Sequence, residues 1–410
     1  MQISHHFRRL SAPGTDRLAI QLTEGSEACY PLYYFIPSLS KDCRRLIYHC
    51  YENGTVQLRW LNLETGENRA ISHADSPEAD WRPWQAEPGL RGVRDYRSVL
   101  NRERGTVLYF EGNRLDSYDL GTEKTESLFW LPPDREPTGQ NAASPDGEWL
   151  YFIDAPVGSE YNKPCQGARV VAYHFSSGSQ RVLFEVDAPI HHVMPFGNHH
   201  VVVNHPAGKC GMMFASLDGS GYSLLRDGDP GAEGQVCHQL STQHGLAYET
   251  FYHPAGAVTG LYDPFERKRL EFCLPTHFGY THTGWDPEGR LWFWEQCNVP
   301  RKRMGAGVAT GSHLEGHTMT YLEQVVPGEQ AVLKPLLGHW PVESPGQRPH
   351  FHPQLLPGGE WILFTAGDEH FRPQIFLLDV ADLRSLDPLD RSLLHSDGLN
   401  DLHTPALLKT

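Results

Sequence analysis

Short runs of alternating apolar and polar residues recur along this chain, each introduced by a turn rich in Asp, Gly or Pro. The cleanest is Ser144-Pro145-Asp146-Gly147-Glu148 leading into Trp149-Leu150-Tyr151-Phe152. Asp286-Pro287-Glu288-Gly289 before Arg290-Leu291-Trp292-Phe293 repeats it, as does Pro357-Gly358-Gly359-Glu360 before Trp361-Ile362-Leu363-Phe364. Ser38–Asp42 before Arg45-Leu46-Ile47-Tyr48 is a looser copy, and Val107-Leu108-Tyr109-Phe110 leads through Asn113 into Leu115–Leu120. Tight reversals followed by a period of two, filled with aromatic and aliphatic residues, predict short half-buried antiparallel strands.

Even spacing of such strands predicts an all-β fold, a seven-bladed β-propeller built as one domain over residues 1–410. The blades fall roughly at 27–72, 90–133, 138–187, 188–228, 233–275, 278–338 and 348–385. The run Arg17–Thr23 has strand character but no partner strands beside it in sequence. It is expected to close the ring on the C-terminal blade, which covers an otherwise open sheet edge. Residues 74–91 and 301–317 read as long loops.

Composition agrees with many turns and few helices: there are 39 glycines and 31 prolines. A length of 410 residues ordinarily implies several domains, but stacked repeats share one continuous core. The formal charge of −15 repels polyanions over most of the surface, so nucleic-acid binding is excluded as a general function. An acidic small substrate then requires a local cluster of cations or a metal. Neither a secretory leader nor a membrane-length apolar run is visible, so a cytoplasmic chain that binds no membrane is expected, or a periplasmic one if a leader was removed. Eight cysteines with no CxxC pair fit reduced thiols better than a disulfide framework.

The chemistry concentrates in histidines. In Gln347-Arg348-Pro349-His350-Phe351-His352-Pro353, side chains two apart on a strand share a face, so His350 and His352 can aim at the same point, with the Gln347 amide beside them. His282, in Tyr280-Thr281-His282-Thr283, holds the same place before the turn of the neighbouring blade. Three imidazoles and one carboxamide suit a divalent metal, manganese, iron, nickel or zinc, and the donors by themselves do not choose among them, although manganese is the metal expected. With 23 histidines in the chain, a structural role is the ordinary alternative for any one of them. His205 and His238 enter at comparable depth, whereas the pairs at 191–192 and 199–200 read as loop residues.

These residues resemble the oligogalacturonate lyase family, pectin-degrading enzymes built on a seven-bladed propeller. The resemblance runs from Gln21-Leu22-Thr23 to Asp379-Val380 and is sharpest at Gln347, His350 and His352, which keep the family's Gln-x-x-His-x-His metal spacing. His282 matches the remaining histidine ligand. Lys163-Pro164-Cys165 and Cys297-Asn298 match short family segments, and His205 matches a pocket histidine. His238 matches the family's base once one residue is gapped after Cys237. Two departures remove positive charge: Gly211 stands where the family has arginine, and Tyr30-Pro31-Leu32 replaces a basic His-Arg-Asn.

The resemblance implies metal-dependent β-elimination from a uronic acid in an acidic oligosaccharide. His238 is the expected base, with His205 as its alternate or partner. Arg348, Lys209 and Lys163 are expected to hold acidic sugar groups. Two other readings stand beside it: a lyase for another uronate glycan, of the ulvan or rhamnose-glucuronate type, and a non-catalytic propeller that binds a sugar or protein.

Overall fold

The turns that mark the repeat are held by one hydrogen-bond pattern. In Ser144–Trp149 the Ser144 hydroxyl donates to Asp146 Oδ1 (2.5 Å), which also accepts from Glu148 N–H (3.0 Å). The Trp149 N–H returns to Ser144 Oγ (2.9 Å), and Gly147 N–H closes on the Ser144 carbonyl (2.9 Å). Ser40–Arg45 repeats every element: Ser40 Oγ to Asp42 Oδ1 (2.6 Å), Arg44 N–H to Asp42 Oδ1 (3.1 Å), and Arg45 N–H to Ser40 Oγ (2.9 Å). Burial works upward on the Asp42 carboxyl, but these hydrogen bonds and the flanking arginines hold it below its ordinary value. The fourth turn position needs a left-handed backbone. Gly147 (φ +75°) and Gly359 (φ +70°) supply it without a Cβ, and Cys43 (φ +59°) adopts it at some cost.

The computed structural model describes residues 1–72, 91–94, 97–159, 166–188, 190–204, 211–220, 222–226, 235–242, 245–251, 257–274, 283–285, 291–297, 316–323, 332–344, 348, 350–387 and 406–407. Two compact units divide it, each drawn from both ends of a sequence interval: 1–6 with 25–227, and 7–24 with 228–410. The loops expected at 74–91 and 301–317 lie outside the described residues except for Arg91, Gly316 and His317.

The first unit holds four antiparallel sheets among its described residues. They open on the leading strands Ala28–Pro31, Val99–Asn101, Arg135–Ala143 and Val193–Phe196, and each meanders outward through three more. Arg91–Gly92, expected in the second blade, instead pairs in parallel with Thr55–Asn62 of the first sheet. Second strands are buried along most of their length, as in Trp149–Pro156, whereas the outer strand Lys124–Trp130 is largely exposed. A sheet hidden on both faces needs apolar residues at successive positions as well as alternate ones, and Leu150-Tyr151-Phe152-Ile153 provides them. The third and fourth sheets share a core in which Tyr151, Val170 and Phe184 meet Val193, Val203 and Met213.

The second unit holds three sheets among its described residues, opening on Gln235–Thr242, Thr283–Trp285 and Gln354–Leu355. The last runs through Trp361–Gly367 and Pro373–Asp379, and then takes two strands from the far end of the chain. Leu18–Gln21 pairs with Pro373–Asp379, and Arg8–Ser11 pairs outside it. The N-terminal strand is therefore the fourth of its sheet rather than the outermost. Trp340 locks this sheet to its neighbour by donating Nε1–H to the Gly367 carbonyl (2.8 Å) within a core containing Phe351, Phe364 and Phe376. Leading strands pack in series here, Gln235–Thr242 on Thr283–Trp285 and Thr283–Trp285 on Gln354–Leu355. Leu383–Ser385, a single 3₁₀ turn, is the one helical element among the described residues.

Relieving the left-handed strain at Cys43 with Cys43→Gly is expected to raise stability by about 0.5–1 kcal/mol. Gly147→Ala is expected to cost about 1–3 kcal/mol, because its Cβ would sit 2.7 Å from Glu103 Cβ and 2.8 Å from Asn101 Oδ1. Paired thermal melts check both signs.

Candidate active site

Polar groups in this fold collect where the leading strands break their ladders. Gln235–Thr242 pairs regularly with Gly245–Phe251 until the register shifts between Cys237 and Leu240, which leaves His238 and Gln239 in a bulge. A bulge re-aims the residues it contains. The gap needed to align His238 with the lyase pattern falls at this point. His238 is 2% exposed and Gln239 is fully buried, and His238 takes a left-handed φ of +43°.

The second histidine site precedes Gln354–Leu355. Phe351 is driven into the apolar core against Phe364 (centroids 5.4 Å apart), and its carbonyl accepts from Thr365 N–H (2.8 Å). That anchor fixes the backbone between His350 and His352. Their rings lie 5.8 Å apart and within 25° of parallel. His352 has no exposure at all, and its φ is +44°. Arg348, two residues upstream of His350, is also buried.

Backbone strain singles these positions out. Eight described residues other than glycine have φ between +43° and +61°; five of them occupy turns or bends, where that conformation is ordinary, and Asp16 is exposed directly after the turn at Pro13–Thr15. The remaining two are His238 and His352. Each costs on the order of 1–3 kcal/mol, and strain of this kind is retained where the surrounding structure over-determines a functional geometry. Because the leading strands of this unit pack in series, both histidines belong to one edge of its sheets.

A metal can be tested against the donors present. A divalent cation held about 2.1 Å from one nitrogen of each imidazole separates two ring centroids by roughly 5–6 Å, and the His350–His352 spacing of 5.8 Å fits. Imidazole donors match the manganese-to-zinc range. Among the described residues no group of three or more His, Cys, Asp or Glu is gathered for a metal. His282 and Gln347, the other expected ligands, lie outside the described residues, as do His205, Lys209 and Lys163.

The first unit carries polar residues that the sequence reading passed over. His191 and His192, read as loop positions, are 3% and 1% exposed. His192 N–H donates to Asn204 Oδ1 (2.9 Å), which fixes the amide orientation and turns Asn204 Nδ2–H onto His192 Nδ1 (2.7 Å). Nδ1 therefore accepts, and Nε2–H donates to the Tyr33 hydroxyl (3.2 Å). The neighbouring leading strand bulges at Gly139-Gln140-Asn141, where Gln140 N–H reaches the His191 carbonyl (2.7 Å). The signal available was Gly139: its φ is +64°, and a Cβ there would lie 2.4 Å from the His191 oxygen. Tyr30 and Leu32, the uncharged replacements for the basic family segment, are fully buried.

Repeated antiparallel sheets with leading strands packed in series define an all-β propeller, and comparison with solved structures supports that class. An oligogalacturonate lyase from Vibrio parahaemolyticus superposes with a TM-score of 0.71 at 16% identity, over 93% of this chain and 98% of that one. An oligogalacturonate lyase in complex with manganese gives 0.68 at 17% identity, over 92% and 97%. At such identities the likeness establishes the fold, and the manganese is a property of that protein. No family profile and no curated protein sequence matches the chain.

Since glycine takes a positive φ without penalty, His238→Gly is expected to melt above His238→Ala, by about 1 kcal/mol of stability. Side-by-side denaturation of the two variants measures it, and the reverse order would show that the left-handed backbone at 238 carries no strain.

Proposed function

We propose that this protein is a divalent-metal-dependent lyase that cleaves uronic-acid oligosaccharides by β-elimination, with an oligogalacturonate-like substrate. The observation that carries the reading is the pair of buried, left-handed histidines, His238 and His352, at one edge of the second unit. The propeller likeness to oligogalacturonate lyases supports it. The reading includes seven blades. Four sheets in one unit and three in the other, among the described residues, support that count, and the pairing of Leu18–Gln21 with Pro373–Asp379 supports an N-terminal strand in the last blade.

His350 and His352 would hold the cation, with His282 and Gln347 completing the set. When bound, it supplies Lewis-acid stabilisation for the charge that builds on the uronate carboxylate as C5 loses its proton. His238, as a neutral imidazole, accepts that proton. The C5–H and C4–O bonds break, a C4–C5 double bond forms, and the departing oxygen takes a proton from His205 or solvent. Arg348, buried beside the histidine pair in sequence, is assigned to orient the carboxylate, and Lys209 and Lys163 to bind flanking acidic groups. Burial of His238, Arg348, His350 and His352 strengthens the electrostatic contacts they would make.

A second reading keeps the chemistry and changes the sugar. The buried, uncharged Tyr30 and Leu32, together with Gly211 in place of arginine, favour a glycan with fewer carboxylates, of the ulvan or rhamnose-glucuronate type. A cytoplasmic site of action remains part of the proposal.

Ultraviolet absorbance of the unsaturated product tests the proposal on oligogalacturonate and on glucuronate-containing oligomers. His238→Ala is expected to lower kcat by about 10²–10⁴-fold. His352→Ala is expected to lower bound metal, read by elemental analysis, along with activity. Activity that survives both His238→Ala and exhaustive chelation would remove the elimination mechanism. Absence of product and of co-purifying metal would favour the non-catalytic reading.

A further inference from the structure

Cys29 and Cys50 lie away from the histidine edge, in the first sheet of the first unit. Ala28–Pro31 and Arg45–Glu52 pair so that Cys29 and Cys50 are direct cross-strand partners. Opposed residues in an antiparallel ladder have Cα atoms about 4.5–5.5 Å apart and present their side chains on one face. That separation lies inside the range a disulfide accepts, about 4.4–6.8 Å. Both residues are reduced, and the two thiols hydrogen-bond to each other. Cys50 also donates to Ser26 Oγ (3.2 Å).

From this geometry we propose that Cys29 and Cys50 form a dithiol modification site, oxidised by hydrogen peroxide or an organic hydroperoxide to a reversible intrachain disulfide. The pair sits just beneath the surface. Cys29 and Cys50 are 2% and 5% exposed, but Glu27, Glu52 and Asn53 at the adjoining strand ends are exposed, and Ser26 is half-buried. A small peroxide therefore has a short path to the two sulfurs.

The chemistry balances. The Cys50 thiolate attacks one peroxide oxygen, the O–O bond breaks, and the departing oxygen leaves as water or alcohol with the proton lost by the thiol. The resulting sulfenic acid is attacked by the Cys29 sulfur, which forms the S–S bond and releases a second water. Two thiols are oxidised and one peroxide is reduced. Cys50 is the attacking group because the hydrogen bond from Cys29, opposed by burial and assisted by Ser26, holds its thiol down to about 7. Glu52 works against the thiolate and Arg59 for it, and Tyr48, two residues back on the same strand, is held protonated by burial.

The test uses the full chain, reduced, desalted and treated with a few equivalents of hydrogen peroxide, then alkylated and mapped by mass spectrometry. The expected product is a Cys29–Cys50 cross-linked peptide about 2 Da lighter than the sum of its parts, restored by dithiothreitol. In Cys29→Ser the cross-link is absent and Cys50 is trapped as sulfenic acid by dimedone. Recovery of both cysteines as reduced thiols while Cys43 oxidises would overturn the proposal, as would direct passage of Cys50 to sulfinic acid without a cross-link. The wild-type measurement decides the matter even where a variant folds poorly, and neither outcome depends on lyase activity.

Discussion

A sheet covered on both faces seats polar side chains where a partner meets them, as Arg135 and Arg169 meet Asp154, or where its strand ladders break. In this propeller the middle strands are buried on both sides, so a charged or imidazole side chain there faces apolar neighbours and costs several kcal/mol unless it is partnered. The leading strands escape that constraint because their ladders are interrupted. Interruption at Cys237/Leu240 turns His238 and Gln239 out of the pleat, and interruption at Thr138/Ala142 does the same for Gly139, Gln140 and Asn141. One structural device thus recurs with different residues in it.

What distinguishes the candidate site from the His192 network is the kind of order each shows. His192 donates its backbone N–H to Asn204 Oδ1, accepts from Asn204 Nδ2 at Nδ1 and donates Nε2–H to Tyr33, which fixes its tautomer and occupies both ring nitrogens. That is how a structural imidazole is satisfied. His238 and His352 are distinguished by a left-handed backbone at buried positions outside any turn. Phe351 explains how the strain at His352 is sustained: its ring is locked in the aromatic core and its carbonyl in the ladder, so the residue after it has little freedom. The costs of the site are thereby offset by packing one residue away.

Much of the architecture was legible in the residues. Ser-x-Asp and Pro-Asp-Gly turns, followed by alternation, marked the starts of Arg45–Glu52 and Trp149–Pro156 because the side-chain hydrogen bonds that shape those turns span no more than five residues. His350 and His352 were visible for a similar reason, since a spacing of two on an extended chain is a local property. Arg8–Ser11 was not legible: a run of two arginines, a leucine and a serine carries no strand signal, and its pairing partner Leu18–Gln21 is itself placed by Pro373–Asp379. His191 and His192 were misread because their burial comes from the bulge in the neighbouring sheet, not from their own neighbours in sequence.

Local chemistry, then, determined the turns, the strand period and the spacing of the histidine pair, because these depend on residues a few positions apart. Tertiary structure decided which strand each sheet borrows from the distant terminus, and which ladders break. It also decided which histidines are buried under strain and which cysteines face each other across a ladder. Those outcomes require contacts between residues tens to hundreds of positions apart, where burial and register are set jointly by both partners and neither sequence segment holds the information alone.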